Sequence, residues 1–211
     1  MNNPLSNTDR KLGRRERNKL EKLSRIIGAT RGLFASQGFE KTTTLQIAEA
    51  AGIGVGTLFL YARTKEDLLF MVFKDEMLEA AELSFKKTNK NNILIDNVMV
   101  VFTRMIEYHA RDLALTRIIL REITIPETEQ RIKDLRALTD VIFSGLAKLA
   151  SQAQAKGELS SDMAALSIAR SLFATYYLEL IGWVGGVNTR EEFMRNLHSQ
   201  LSVIINRKQS D

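Results

Sequence analysis

An all-α protein of about nine helices, with a small N-terminal head and a larger helical body, is what this sequence predicts. Three observations carry that expectation. Only two prolines, Pro4 and Pro126, interrupt 211 residues, and strand-like alternation is hard to find. Apolar residues recur instead at three- and four-residue spacings along most of the chain. Threonines followed three residues later by Gln, Asp or Glu, and glycines after the periodic stretches, mark where helices start and stop. At 45% hydrophobic residues the chain can bury one good core plus a small appended domain.

Residues 1–9 are polar and unpatterned and are expected to be disordered. Residues 1–15 form a basic, flexible arm, and Arg10, Lys11, Arg14, Arg15 and Arg17 lead into a first helix ending near Gln37, before Gly38. Its packing stripe is Leu23, Ile26, Ile27, Thr30, Leu33 and Phe34. Thr43 with Gln46 is a capping box, so a second helix begins at Thr44. Ile47, Ala48 and Ala51 give it a small-residue face, and Gly52 suits the left-handed residue that ends a helix. Ile53 fills the corner, Gly54 caps, and Val55 to Arg63 supply the next helix. A small-residue helix, a glycine turn and a second helix make the helix-turn-helix pattern.

Thr64 to Asp67 caps a longer helix with acidic residues in its first turn, and Leu69, Val72, Phe73, Met77 and Ala80 form its apolar face. After the polar break from Lys86 to Asn92, a stripe of Ile95, Val98, Met99, Phe102, Met105, Ile106 and His109 follows. A short helix over Leu113–Ile123 ends before Pro126, which suits the first turn of the next helix. That helix carries Leu135, Leu138, Ile142, Leu146, Leu149 and Ala153 and ends at Gly157. Ser160 to Asp162 offers a cap for a helix bearing Leu166, Ala169, Leu172, Phe173, Tyr176, Tyr177, Leu180 and Ile181, closed by Gly185 and Gly186. Thr189 with Glu192 opens the last helix, striped by Phe193, Leu197, Leu201 and Ile204. Two consecutive, strongly apolar C-terminal helices offer more surface than one small body needs. They are expected to pair with a second copy as a four-helix bundle through Leu172, Leu180, Phe193, Leu197, Leu201 and Ile204. Packing within one chain is the alternative.

The order I-A-x-x-A-G-I-G-x-G-T-L-F-x-Y followed by K-E-x-L-L resembles the TetR family of bacterial transcriptional regulators. So does the approach through Ile26, Ile27, Leu33, Phe34, Gly38 and the run Thr42–Thr44. The likeness covers about the first third of the chain. It implies a DNA-binding helix-turn-helix domain over 1–63, then a helical effector-binding and dimerisation domain over 64–211. Carried over position by position, it places Thr43, Thr44, Val55, Gly56, Thr57, Phe59, Leu60, Tyr61 and Lys65 at DNA. Thr43 and Thr44 would offer hydroxyls and free amides to a phosphate, Lys65 a point charge and Tyr61 a donor. Leu58 is expected in the head's own core. The chain departs from the usual pattern at Gly54, Val55, Phe59, Leu60 and Ala62. Leu60 either meets thymine methyls or packs sideways. The basic arm either reaches the minor groove and flanking phosphates or stays free.

The family also implies a cavity in the body. Phe73, Met77, Met99, Phe102, Met105, Ile106, His109, Phe143, Phe173, Tyr176 and Tyr177 are candidate ligand-lining residues, with His109 as the first polar handle. Ordinary core is the competing reading of each. Trp183 is expected at a subunit or domain seam.

Residues 1–65 hold 12 Lys/Arg against 5 Asp/Glu, and the remainder 18 against 20. A basic head on a slightly acidic body fits a duplex-binding module. The absence of cysteine excludes disulfides and thiolate chemistry and fits a reducing cytoplasm. No secretory signal and no membrane-spanning segment is expected. The glycines from 52 to 56 follow a helix and not a strand, so no dinucleotide site is expected, and no catalytic, metal or cofactor motif stands out. The sequence therefore reads as a non-enzymatic regulator, a repressor binding a palindromic DNA operator as a homodimer and released by a small apolar or amphipathic effector. A regulator that is ligand-independent or gated by a protein partner is the rival. An apolar cavity with one or two polar handles favours the first, and a filled core the second.

Overall fold

The computed structural model describes residues 13–205. Among them are nine α-helices and no strand: α1 Arg14–Lys41, α2 Thr44–Ala50, α3 Val55–Leu58, α4 Lys65–Lys87, α5 Leu94–Ala110, α6 Leu113–Thr124, α7 Glu129–Ala155, α8 Ala165–Val184 and α9 Arg190–Ile205. The chain divides into two compact units, residues 1–72 and 73–211.

In the first unit Ile26 of α1, Ile47 and Ala48 of α2, and Leu58 of α3 are fully buried together with Ala51, Ala62 and Leu68. α1 is interrupted at Gly38, where φ is 82° and ψ 166°. That region is open essentially to glycine alone. Of the expected arm, residues 1–12, with Arg10 and Lys11, lie outside the described residues, while Arg14 and Arg15 are the first residues of α1.

α3 is shorter than the Val55–Arg63 helix that the sequence suggests. After Leu58 the chain tightens: Leu60 N–H donates to Thr57 O at 3.2 Å and Tyr61 N–H to Leu58 O at 2.9 Å. These are bonds over three residues rather than four, the usual way a helix end satisfies its last carbonyls.

In the second unit α8 packs along both α7 and α9, and α5 packs on α7 and α9. Val98, Val101, Phe102, Leu146, Ala169, Leu172, Phe193, Leu197 and Leu201 are fully buried. A side chain at Gly145 of α7 would overlap the ring of Phe85, so the end of α4 lies hard against α7.

Several expectations change here. Thr128, not Pro126, starts α7, its Oγ1 accepting from Arg131 N–H at 3.2 Å. The residues Ser160–Asp162 close on themselves, and α8 begins at Ala165 without a side-chain cap. The Trp183 ring stacks on Phe193 at 5.3 Å inside the body, so it is core and not seam. Leu172, Leu180, Phe193, Leu197 and Leu201 are buried within one chain, out of reach of a second copy, and Ile204 is half-buried while Ile205 takes the core position. An apolar stripe identifies which face of a helix packs, but not whose surface receives it. The exposed apolar side of α8 is instead Leu166, Ala174, Leu178 and Ile181, with Val203 exposed on α9.

Candidate nucleic-acid interface and body cavity

The helix-turn-helix corner is built by short-range bonds. Thr43 N–H donates to Gln46 Oε1 at 2.9 Å, and Gln46 N–H donates back to Thr43 Oγ1 at 3.2 Å. Gln37 of α1 donates from Nε2 to Gln46 Oε1 at 3.0 Å, and the buried Thr42 hydroxyl donates to Gly38 O at 2.7 Å. At the other end of α2, Gly52 has φ 64°. Gly52 N–H donates to Glu49 O and Ile53 N–H to Ala48 O, both at 3.0 Å. This paired closure needs a left-handed residue, and glycine adopts it without strain. The geometry turns the chain so that α3 leaves the corner with Leu58 inward.

Among the expected DNA-facing positions, Leu60 is 84% exposed, Phe59 and Gly56 are exposed, and Thr57 is half-buried. Val55 and Tyr61 instead pack against the head's core. The Thr43 amide is already used by Gln46, so it is not free for a phosphate as the sequence suggests. Lys65 is also engaged within the head: its Nζ donates to Phe39 O at 2.8 Å and Glu40 O at 3.3 Å, 4.2 Å above the Phe39 ring. Sequence could not show this, because the carbonyls it holds lie 25 and 26 residues earlier. Leu45, Lys41 and Arg63, which the sequence reading passed over, are exposed around the corner. Neither a formal charge nor a hydropathy value distinguishes them from any other surface residue.

The body holds a half-open cavity of about 270 Å³ lined from five helices by Phe73, Met77, Met105, His109, Ile123, Thr124, Leu135, Leu138, Thr139, Ile142, Phe173, Tyr176, Tyr177 and Leu180. Seven of the expected ligand-lining residues are here. Phe102 and Ile106 are buried elsewhere, Met99 is half-buried away from it, and Phe143 stands edge-on behind Phe173 at 5.4 Å. Leu180, expected at a dimer seam, is in the wall. Leu135, Leu138 and Ile142 read only as an α7 stripe, since spacing is the same whether a stripe faces a helix or a void.

None of these lining residues carries a charge at neutral pH. Burial holds the His109 imidazole down at a pKa of about 4, and its Nδ1 lies 3.5 Å from the Thr116 hydroxyl. Burial pushes the Tyr176 phenol up. α6 is tied to both α7 and α8. Arg131 of α7 pairs with the buried Glu122, and the Thr124 and Tyr177 hydroxyls share a hydrogen bond at 2.7 Å. Lys74 of α4 pairs with Asp134 of α7. No group of three His, Cys, Asp or Glu among the described residues is placed to hold a metal, and no described helix is long and apolar enough to cross a membrane.

A capped small-residue helix, a glycine turn and a short exposed helix define a helix-turn-helix domain of the DNA-binding class. Residues 26–72 match the family model described as bacterial regulatory proteins, tetR family, so the head is a TetR-family domain. It is 28% identical over 120 residues to the fatty acid metabolism regulator protein of Bacillus subtilis (strain 168), a match covering 56% of this chain and 61% of that protein. The aligned part thus spans about three fifths of that relative's length. The fold resembles Thermus thermophilus FadR, a TetR-family transcriptional repressor solved with lauroyl-CoA, at a TM-score of 0.71 and 22% identity, covering 90% of this chain and 98% of that one. It also resembles Bacillus subtilis FadR solved with stearoyl-CoA, at a TM-score of 0.62 and 20% identity, covering 88% and 99%.

Proposed function

We propose that this chain is a DNA-binding transcriptional regulator, a repressor that occupies a palindromic operator as a homodimer and is released by an amphipathic ligand. Residues 1–63 serve DNA and residues 64–211 serve effector and dimerisation, and the protein works in the cytoplasm without catalytic activity. The observation that carries the reading is the exposed surface on and just after α3, where Gly56, Phe59 and Leu60 are outward, with Lys41 and Arg63 also exposed in the same unit. A helix N-terminus in the major groove reads base edges, and flanking cations and amides hold phosphates. Of the contact set Thr43, Thr44, Val55, Gly56, Thr57, Phe59, Leu60, Tyr61 and Lys65, the base-facing part is Gly56, Thr57, Phe59 and Leu60. Thr43, Tyr61 and Lys65 act chiefly by setting the angle of the corner.

The cavity favours a ligand-gated regulator over one without an effector. Its uncharged wall suits an acyl chain, and the two FadR structures solved with acyl-CoA support an acyl thioester as the ligand class. Phe73 and Met77 of α4 belong to the wall, while α4 begins in the head at Lys65. A ligand pressing on α4 therefore acts on the element that continues into the DNA-binding unit. In a dimer, half-sites lie one helical turn, about 34–36 Å, apart, so a small displacement removes simultaneous contact. The second copy docks on the exposed side of α8, Leu166, Ala174, Leu178 and Ile181, continued by Val203.

Selection of bound genomic fragments at two salt concentrations, with and without lauroyl-CoA, tests the reading. A palindromic site, affinity falling steeply with salt and release by the thioester are expected. A monomer indifferent to every sequence would overturn it. Leu60→Asp should weaken the selected site at least about tenfold, because it replaces an apolar groove contact by an anion among phosphates. Its melting temperature should stay near the parent's, since Leu60 is 84% exposed. Leu178→Glu, at a residue 68% exposed, should shift the sedimenting species from dimer to monomer and leave helicity unchanged.

A further inference from the structure

Residues 55–62 read V-G-T-L-F-L-Y-A, so α3 and the turn after it carry no amide, guanidinium, ammonium or carboxylate side chain. Their side-chain hydrogen-bonding groups are two hydroxyls, on the half-buried Thr57 and Tyr61. The side-chain amides at the start of α2 are turned on each other. Gln37 Nε2 donates to Gln46 Oε1 at 3.0 Å, and the same oxygen accepts from Thr43 N–H at 2.9 Å. What faces outward is apolar. Leu60, 84% exposed, is the most exposed large apolar residue among those described, and its neighbour Phe59 is 46% exposed. Residues 1–65 carry 12 Lys/Arg against 5 Asp/Glu, so the occupant suited to this apolar surface is itself a polyanion.

Base pairs differ in the major groove by their donors and acceptors, and the side chains that read those edges two bonds at a time are Arg, Lys, Asn and Gln. A surface without them has one base-specific feature left to hold by apolar contact, the 5-methyl group of thymine. An exposed leucine beside an exposed phenylalanine gains by covering that methyl and shedding water from both. Arg63, exposed just past the turn, is the rival reader, since a guanidinium takes guanine O6 and N7.

Resting on the DNA-binding reading above, we infer that the head selects its operator by thymine methyl groups, with Phe59 and Leu60 as the specificity-determining residues. The signal is then the methyl group and not the base that carries it. 5-Methylcytosine presents a methyl at the same place in the groove, so the head accepts a methylated C·G pair where it accepts T·A and disfavours the unmethylated pair. Uracil keeps every hydrogen-bonding edge of thymine and the whole minor groove, lacks only the methyl, and is disfavoured as well.

Three random-sequence duplex libraries test this with the full chain. One is ordinary DNA, one has uracil in place of thymine, and one has uracil for thymine together with 5-methylcytosine for cytosine. The ordinary library should yield a palindromic motif with thymines in each half-site. That motif rebuilt with uracil should bind about tenfold or more weaker, since one covered methyl per half-site is worth about fourfold and the two halves multiply. The third library should yield a motif with 5-methylcytosine at those thymine positions. In Leu60→Ala the loss from thymine to uracil should shrink to about threefold or less, with the melting temperature near the parent's. Equal affinity for the thymine and uracil forms, a motif fixed by guanines alone, no enrichment from the third library, or an undiminished uracil loss in Leu60→Ala would overturn methyl readout and leave operator binding standing. No enrichment from the ordinary library would overturn both.

Discussion

Arg131→Leu is expected to destabilise the body by roughly 3–5 kcal/mol, the largest effect of any single substitution proposed for this chain. Arg131 is 5% and Glu122 9% exposed, and the guanidinium faces the carboxylate across the turn between α6 and α7. Arg121 also lies 3.3 Å from Glu122, but its side chain is largely in solvent and screens weakly. Removing Arg131 therefore leaves a buried carboxylate with little compensation. Leucine restores some of the volume and none of the charge. The double variant Arg131→Leu with Glu122→Leu should recover most of the loss, since two apolar side chains leave nothing unpaired. Urea unfolding of parent, single and double variants measures this. A single-variant loss below about 1 kcal/mol would mean that water reaches Glu122. The effect extends to the cavity, because Thr124 stands two residues after Glu122 and holds Tyr177.

The second large effect is acid instability from His109. Its pKa in the folded chain is about 4, against an ordinary value of 6.5, because burial disfavours the imidazolium. The unfolded chain therefore binds the proton more readily than the folded one. Stability tied to this group is intact above pH 6.5 and is lost as the pH falls from there toward 4, by up to roughly 3 kcal/mol. The surroundings supply nothing to stabilise a charge: the Phe73 and Tyr108 rings lie 6.1 and 5.5 Å away, and the nearest polar group is the Thr116 hydroxyl. Unfolding free energies of the parent and of His109→Gln should converge or cross as the pH falls, since glutamine takes up no proton. Parallel pH profiles would show that His109 gains a proton equally in both states. Carboxylates titrate in the lower part of the same window, which is why the comparison with the variant decides.

Much of the head was legible because its governing interactions span a few residues. The Thr43–Gln46 box and the Gly52 closure each follow from neighbours within about one helical turn. The box at Thr189–Glu192 was legible for the same reason. The sites were legible only in part. Lys65 reads as an exposed cation until its partners, two carbonyls at the end of α1, are in place. Likewise the Phe193 and Leu197 stripe reads as dimer surface until α5 and α8 are seen to cover it.

By itself the sequence determined that this protein is all-helical, where most helices start and stop, and that its head is a helix-turn-helix domain. Those features come from backbone bonds and apolar periodicity within single elements. The tertiary structure alone decided which apolar face became core and which stayed outside, and that a void opens between five helices. Each of these depends on what approaches from far along the chain, and periodicity carries no record of the neighbour.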